Sequence, residues 1–352
     1  MKQFFGCDAH KKYSMFASIN ETGHYGHMIK VEHDRYVFRK FLHTLPPGSL
    51  IAIESVGNWY WLIDEMEKTG HIPILANAAK AKLMMGQINK TDKLDARGLA
   101  LLLRNGTLPS IWIPPREIRD QRELSRMRTA LVRVRTMLKN RIHATLAKYA
   151  IQIQQVSDIF GVLGRTLIKS RINELPPQTR RSVEVQLKLL DQVEEHIKVC
   201  EKQIEAIIEE TPAMKLLKTL PGVGSILAIA IAIEIGQIDR FPSAQNLASY
   251  AGTVPRIKES GGRTRFGKVR SDVNRYLKWA LIEAANVIVV NKNRKPNCHV
   301  VQLYNRIMKR KGHAKAVVAV ARHLAEATYW VLKKNEPYKE PRKNKLISST
   351  QK

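Results

Sequence analysis

Apolar residues fall in short runs in the first part of the chain and at spacings of three and four in the rest. Phe4–Asp8 is a brief apolar run ending in an acid. Tyr13–Ile19 and His24–Val31, on either side of a turn at Glu21-Thr22-Gly23, read as two further strands. Arg35–Leu45 has helical spacing and stops at Pro46-Pro47-Gly48. Leu50–Glu54 is a compact strand that again ends in an acid, Trp59–Thr69 is a helix closed by Gly70, and Ile72–Leu75 is another strand. Ala78–Met85 and Asp92–Arg104 complete the helices. The order β-β-β-α-β-α-β-α predicts a mixed sheet covered by helices, an α/β domain.

Pro114-Pro115 marks the end of that domain. Arg116 to Tyr149 then reads as one long basic helix with Leu124, Leu131, Leu138 and Leu146 as its apolar backbone, a spacing suited to packing on a partner helix. After the break at Leu175-Pro176-Pro177 a second long helix carries Leu187, Leu190, Val193, Ile197, Cys200, Ile204 and Ile207. An antiparallel hairpin, a dimerisation arm and plain bundle packing all fit this pair. Thr211-Pro212 opens a mostly helical region reaching about Lys333, and the polar, Lys- and Pro-rich residues from Asn335 on are expected to form a mobile tail.

Charge adds what periodicity does not. The 352 residues include 59 Lys+Arg against 31 Asp+Glu, a formal net charge of +28, which points to a polyanionic partner; a generally basic surface of the ribosomal-protein kind is the bland alternative. An apolar share of 44% excludes a mainly disordered chain. No segment reaches the roughly 20 apolar residues of a bilayer span, so no membrane is expected. Met1-Lys2-Gln3-Phe4-Phe5-Gly6-Cys7-Asp8 is charged too soon for a signal peptide, and Cys7, Cys200 and Cys298 form neither a disulfide framework nor a zinc cluster, which fits a reducing cytoplasm.

The candidate chemistry lies in four acids. Asp8 and Glu54 close predicted strands, whose ends gather at one rim of a sheet. Asp92 and Asp95 stand three apart at the start of a predicted helix and share a face. Converging acids repel unless a cation neutralises them, and Mg²⁺ takes such hard oxygen ligands. Singly, each acid also has an ordinary reading: Asp92 and Asp95 as helix-start or surface-pair residues, Asp8 and Glu54 as solvent-facing strand ends.

Two Gly-rich segments follow. Leu220-Pro221-Gly222-Val223-Gly224-Ser225 leads into the apolar stretch Ile226–Ile235; Gly222 and Gly224 would let backbone N–H groups approach phosphate, as in helix-hairpin-helix proteins, or simply make a tight turn. A basic, glycine-containing loop runs from Tyr250 to Lys268, where Arg256, Lys258, Arg263, Arg265 and Lys268 suit phosphate contact. Ser260, before Gly261-Gly262, is either a hydrogen-bond donor to phosphate or a nucleophile. Ser271-Asp272 reads as the N-cap of a helix over Val273–Ala285. No GxxxxGK[ST], HExxH or GxSxG motif occurs.

Together these residues resemble the DEDD transposases of the insertion sequence 110 family, which includes Piv-type DNA invertases. Gly6-Cys7-Asp8-Ala9-His10, Ile53-Glu54-Ser55-Val56-Gly57 and Lys90-Thr91-Asp92-Lys93-Leu94-Asp95 are similar to its three acidic motifs, and Leu220-Pro221-Gly222-Val223-Gly224 and Ala251-Gly252…Pro255…Ser260-Gly261 to its C-terminal signatures. After Phe266-Gly267-Lys268 the chain lacks the Gly of the Gly-Asn pair frequent in that family. The resemblance implies a RuvC-like, ribonuclease-H-type domain at 1–112 whose Asp8, Glu54, Asp92 and Asp95 hold Mg²⁺. It implies a coiled-coil assembly region at 113–210, a C-terminal domain at 211–334 with Ser260 as the nucleophile that joins DNA, and a basic tail at 335–352. It further implies a tetramer made of dimers, and a structured noncoding bridge RNA that selects donor and target DNA in a bacterial or archaeal cell. A junction-resolving endonuclease and a non-catalytic nucleic-acid-binding protein remain as alternatives.

Overall fold

A computed structural model describes residues 2–86, 92–154, 156–269 and 272–341. The chain divides into two compact units, Met1–Pro114 and Pro115–Lys352.

The first unit holds a five-stranded mixed sheet in the order β3-β2-β1-β4-β5, formed by β1 (Gln3–Ala9), β2 (Tyr13–Asn20), β3 (Ile29–Glu32), β4 (Leu50–Glu54) and β5 (Ile72–Ala76). β1, β2 and β3 pair antiparallel, whereas β4 and β5 add in parallel, each reached through a helical crossover. The helices are α1 (Arg35–Leu42), α2 (Trp59–Lys68), α3 (Ala78–Met85) and α4 (Asp92–Arg104). Side chains alternate across the sheet. Phe5, Cys7, Phe16, Ile51 and Ile53 pack against Phe38 and Leu42 of α1 and Leu62, Ile63 and Met66 of α2. On the other face Ala52 and Ala76 meet Ala81 of α3 and Leu99, Leu102 and Leu103 of α4. Asp34 caps α1 by accepting from the Tyr36 and Val37 N–H groups, and Asn77 caps α3 through Lys80 N–H. The expected strand His24–Val31 shortens to Ile29–Glu32: Tyr25 makes only an isolated bridge to Ile19, and Gly26 lies so close to Ser18 that a Cβ there would be 2.4 Å from its Oγ.

The second unit is mainly helical. α5 (Arg116–Lys148) lies along α7 (Pro177–Ile207), and Leu138, Ile142 and Leu146 meet Val183, Leu187 and Leu190 together with α6 (Val162–Arg171), a helix the periodicity did not reveal. Around the apolar helix α9 (Ser225–Ile235) gather α8 (Pro212–Leu217), α10 (Ala244–Tyr250), α11 (Arg275–Val290), α12 (His299–Lys311) and α13 (His313–Lys334), joined by Leu220, Leu247, Leu277, Leu281, Val320 and Leu324.

Three expectations change here. The basic loop is a β-hairpin, β6 (Pro255–Ser260) against β7 (Arg263–Val269), turned by Gly261 and Gly262 at φ of 56° and 71°. A two-residue turn with both φ positive matches the twist of antiparallel strands and favours Gly at both positions. The N-cap of α11 is Asn274, which accepts from the Tyr276 and Leu277 N–H groups; Ser271 lies outside the described residues and Asp272 stands before the cap. Finally, the start of the expected mobile tail is docked: Tyr338 N–H donates to Thr219 Oγ1 at 2.8 Å, and Glu340 Oε2 accepts from His299 N–H at 3.1 Å. Tyr338 also packs against the core of the unit, apolar surface that a charge count does not register. Residues 342–352 lie outside the described residues.

Candidate active site

Gly6 is where the site begins. It sits on β1 two residues before Asp8, so both face α4. A Cβ at Gly6 would stand 2.1 Å from the Ala96 carbonyl oxygen and 2.6 Å from the Ala100 nitrogen. Only a residue without a side chain lets α4 lie directly on β1. Asp92 is one turn before Ala96 and Asp95 immediately precedes it, so this close approach brings the first turn of α4 to the end of β1.

Asp8 is 7% exposed. His10 Nε2 lies 3.1 Å from Asp8 Oδ2 and 3.1 Å from Asp92 Oδ2. The Tyr13 hydroxyl donates to Asp92 Oδ2 at 2.8 Å, and the Tyr13 and His10 rings are 4.8 Å apart. One ligand atom from each of Asp8, His10 and Asp92 lies within 4.8 Å of the other two; no other trio of His, Cys, Asp or Glu among the described residues does this. β4 runs parallel to β1 with Ile53 opposite Cys7, so Asp8 and Glu54 leave adjacent strands at the same rim and on the same face.

Burial pushes the Asp8 carboxyl above the usual carboxylate range; the His10 imidazole pulls it back, and the Asp95 and Asp92 carboxylates raise it further. The bond to Asp92 is the main cause of a rise at the Tyr13 hydroxyl. Asp8 Oδ2 and His10 Nε2 are buried without a hydrogen-bond partner, despite their short separation. A buried oxygen lacking a donor, among further acids, is an environment that a hard divalent cation would relieve. The donor set therefore fits a metal ion. His10 and Tyr13 are additions to the expected four acids. His10 was legible: in a strand that continues past Asp8, the residue two further on shares its face. Tyr13 depends on strand pairing, which one segment cannot reveal.

In the second unit Ser260 ends β6, is exposed, and pairs with Arg263 across the turn, with Glu259 opposite Thr264 on the next rung and Lys258 opposite Arg265 on the one after. Arg256, Arg263 and Arg265 are exposed on the same hairpin; the side chains of Lys258 and Lys268 lie outside the described residues. The two candidate phosphate-binding glycines differ. Gly222 has φ +76°, and a Cβ there would be 2.2 Å from the Ala284 carbonyl oxygen of α11, so packing and backbone conformation require it. Gly224 stands in open space as the residue before α9.

Comparison with known proteins decides what this arrangement belongs to. Residues 5–151, which include all four acids, match the DEDD transposase model of IS110 elements, and residues 214–299, which include Gly222, Gly224 and Ser260, match the model described as "Transposase IS116/IS110/IS902 family". The chain belongs to the IS110/IS116/IS902 transposase family. Relatives of this transposase span both units. It is 23% identical to the transposase for insertion sequence element IS1111A of Coxiella burnetii over 96% of this chain and 91% of that protein. It is 26% identical to the transposase for insertion sequence element IS1328 of Yersinia enterocolitica over 74% and 76% of the two chains. With the pilin gene-inverting protein of Moraxella bovis the identity is 28%, over 82% of this chain and 81% of that one. The transposase thus has a ribonuclease-H-like DEDD catalytic domain, implying metal-dependent action on DNA, followed by a mainly helical region. No helix among the described residues is long and apolar enough to cross a membrane.

Proposed function

We propose that this transposase exchanges DNA strands of an insertion sequence through a covalent Ser260–DNA intermediate, with Asp8, Glu54, Asp92 and Asp95 as the ligands of Mg²⁺. The observation that carries the metal assignment is the buried, donor-less Asp8 Oδ2 beside Asp92, with the Asp95 charge acting on the same carboxyl. Bound Mg²⁺ would supply Lewis-acid stabilisation of charge on the phosphate oxygens. Tyr13 holds Asp92 by its donated hydrogen bond, which orients that carboxylate before DNA arrives, and His10 Nε2 stands 3.1 Å from an oxygen of each of Asp8 and Asp92.

Ser260 Oγ bonds to phosphorus as the bond from phosphorus to the leaving deoxyribose oxygen breaks; the serine gives up its proton and the departing oxygen gains one. One phosphodiester replaces another, so a second DNA hydroxyl can reverse the exchange without a nucleotide cofactor. Exposure at the hairpin tip, with Arg263 across from it and Arg265 two residues further on, suits a nucleophile that must meet a phosphate. Gly224, Arg256, Lys258 and Lys268 contribute further backbone contacts; Gly222 serves the turn that precedes α9. A structured guide RNA selects donor and target by base pairing, and the excess of cations accommodates both nucleic acids. Residues 113–210 form the assembly arm of a tetramer built from dimers and 211–334 the serine-bearing domain, each beginning at a Pro-marked break.

The test is a denaturing-gel assay for protein–DNA adducts with DNA carrying the element ends. Wild type gives an adduct in Mg²⁺ and Ser260→Ala gives neither adduct nor exchange. Strand exchange by Ser260→Ala at the wild-type rate would overturn the covalent scheme; hydrolysis without joining would leave a junction-resolving nuclease instead.

A further inference from the structure

Glu234 is an acid inside an otherwise apolar helix, α9, and is only 1% exposed. It is fully partnered within the second unit. Arg126 of α5 donates to it in bidentate fashion, Nε to Oε1 at 2.8 Å and Nη2 to Oε2 at 3.0 Å. Arg122 stands 3.4 Å from Oε2 and donates to the backbone carbonyls of Ile233 and Glu234 at 2.9 and 2.8 Å. On its other side Glu234 Oε2 accepts from Asn274 Nδ2 at 2.8 Å, and the same amide donates to the Tyr250 hydroxyl at 3.0 Å.

Tyr250 ends α10 and Asn274 precedes α11, so these two residues flank the segment that carries the β6–β7 hairpin. They are joined twice, through the side chains and through Asn274 N–H to the Tyr250 carbonyl at 2.9 Å. The neck is tight one step further in: a Cβ on Gly252 would lie 2.5 Å from Val273 Cγ2. The Tyr250 ring is itself held by the Arg240 guanidinium, 4.6 Å from its centroid. Arg126 also lies 4.6 Å from the Tyr276 ring in the first turn of α11. An isolated hairpin is at best marginally stable, so its direction is set at its base.

The geometry points to Glu234, Asn274 and Tyr250 as positioning residues: a buried clasp, anchored to α5 by Arg126 and Arg122, that fixes the hairpin bearing Ser260. The catalytic part of this proposal rests on Ser260 being the nucleophile. The clasp lies away from the hairpin tip; it acts by limiting the orientations the hairpin samples. Partial misplacement of a reacting group is enough to slow a reaction about a hundredfold.

Asn274→Ser separates this role from helix capping, because Ser is as good an N-cap as Asn yet lacks the amide donors. Tyr250→Phe keeps the ring and loses the hydroxyl. In the full-length protein, hydrogen exchange of the backbone amides at 255–269 is expected to speed up about tenfold in both variants, and adduct formation with saturating DNA to fall about tenfold with DNA affinity unchanged. Ser260→Ala is the companion: if it abolishes exchange while Asn274→Ser and Tyr250→Phe leave both hairpin protection and rate at wild-type values, the clasp has no positioning role. A fall in melting temperature with a rate per folded molecule equal to wild type would also overturn it. If Ser260→Ala exchanges strands normally, the serine reading fails, and hairpin protection alone decides the clasp.

Discussion

Asp8 and Glu65 are two carboxylates of one domain, both taken out of water, with opposite surroundings. Glu65 is 0% exposed and has three cations on it: Arg39 binds it in bidentate fashion, and Arg35 and Lys68 each stand 3.5 Å away. The Arg39 bond holds its carboxyl below the usual range. Asp8 has further acids for neighbours, one imidazole, and an oxygen with no donor, and burial lifts it above that range. Glu234 repeats the Glu65 pattern, with two arginines and an amide. Burial alone therefore does not mark a reactive acid. The sign of what surrounds it does: acids ringed by the protein's own cations hold structure, and the one facing other acids awaits a cation from outside.

Substitutions can break this contrast, beginning with the largest effect. Glu234→Ala leaves the buried Arg122 and the half-buried Arg126 without their acid and is expected to destabilise the second unit by about 3–5 kcal/mol in a denaturant titration. Gly6→Ala forces α4 off β1, lowering stability by about 1–3 kcal/mol and separating Asp92 and Asp95 from Asp8, so Mg²⁺-dependent cleavage should fall with it. Glu65→Gln should lose only about 1 kcal/mol, because the Arg35 and Arg39 heads reach solvent when the pair is broken. A lowered pKa gives stability that is present above the ordinary glutamate value and disappears as pH falls through the folded value, so wild type and Glu65→Gln should converge in acid. Asp8→Asn carries the opposite sign. The raised Asp8 pKa means the metal-free fold favours the protonated acid and loses stability as pH climbs through the range between the unfolded and folded values. At neutral pH the metal-free variant should therefore melt slightly higher than wild type, and Mg²⁺ should no longer raise its melting temperature.

How far the sequence could be read follows the same physics. Period-two and period-3.6 patterns found every described strand of the first unit and placed Leu50–Glu54, Ala78–Met85 and Asp92–Arg104 at their observed bounds; Leu50–Glu54 and Asp92–Arg104 bury apolar side chains in the core, whereas Ala78–Met85 buries Ala81 and leaves Leu83 and Met84 exposed. The β6–β7 hairpin escaped because its described side chains are largely exposed and leave no apolar alternation to detect. Residues that act through pairing across the fold were equally hidden: Tyr13 reaches Asp92, and Arg126 reaches Glu234, over long stretches of chain. The net charge points to a polyanionic partner, yet Arg122, Arg126 and Arg128 of the basic α5 pair with acids of the same unit. Net charge states how many cations there are and leaves their assignment to the fold.

Whether Asp8 takes up a cation needed for chemistry on DNA is decided by Mg²⁺-dependent cleavage of DNA carrying the element ends, wild type against Asp8→Asn at equal folded concentration. The variant is expected to bind DNA still and to cleave it at least about a thousandfold more slowly at every Mg²⁺ concentration. Cleavage by Asp8→Asn at close to the wild-type rate, with the same Mg²⁺ dependence, would contradict that role for Asp8.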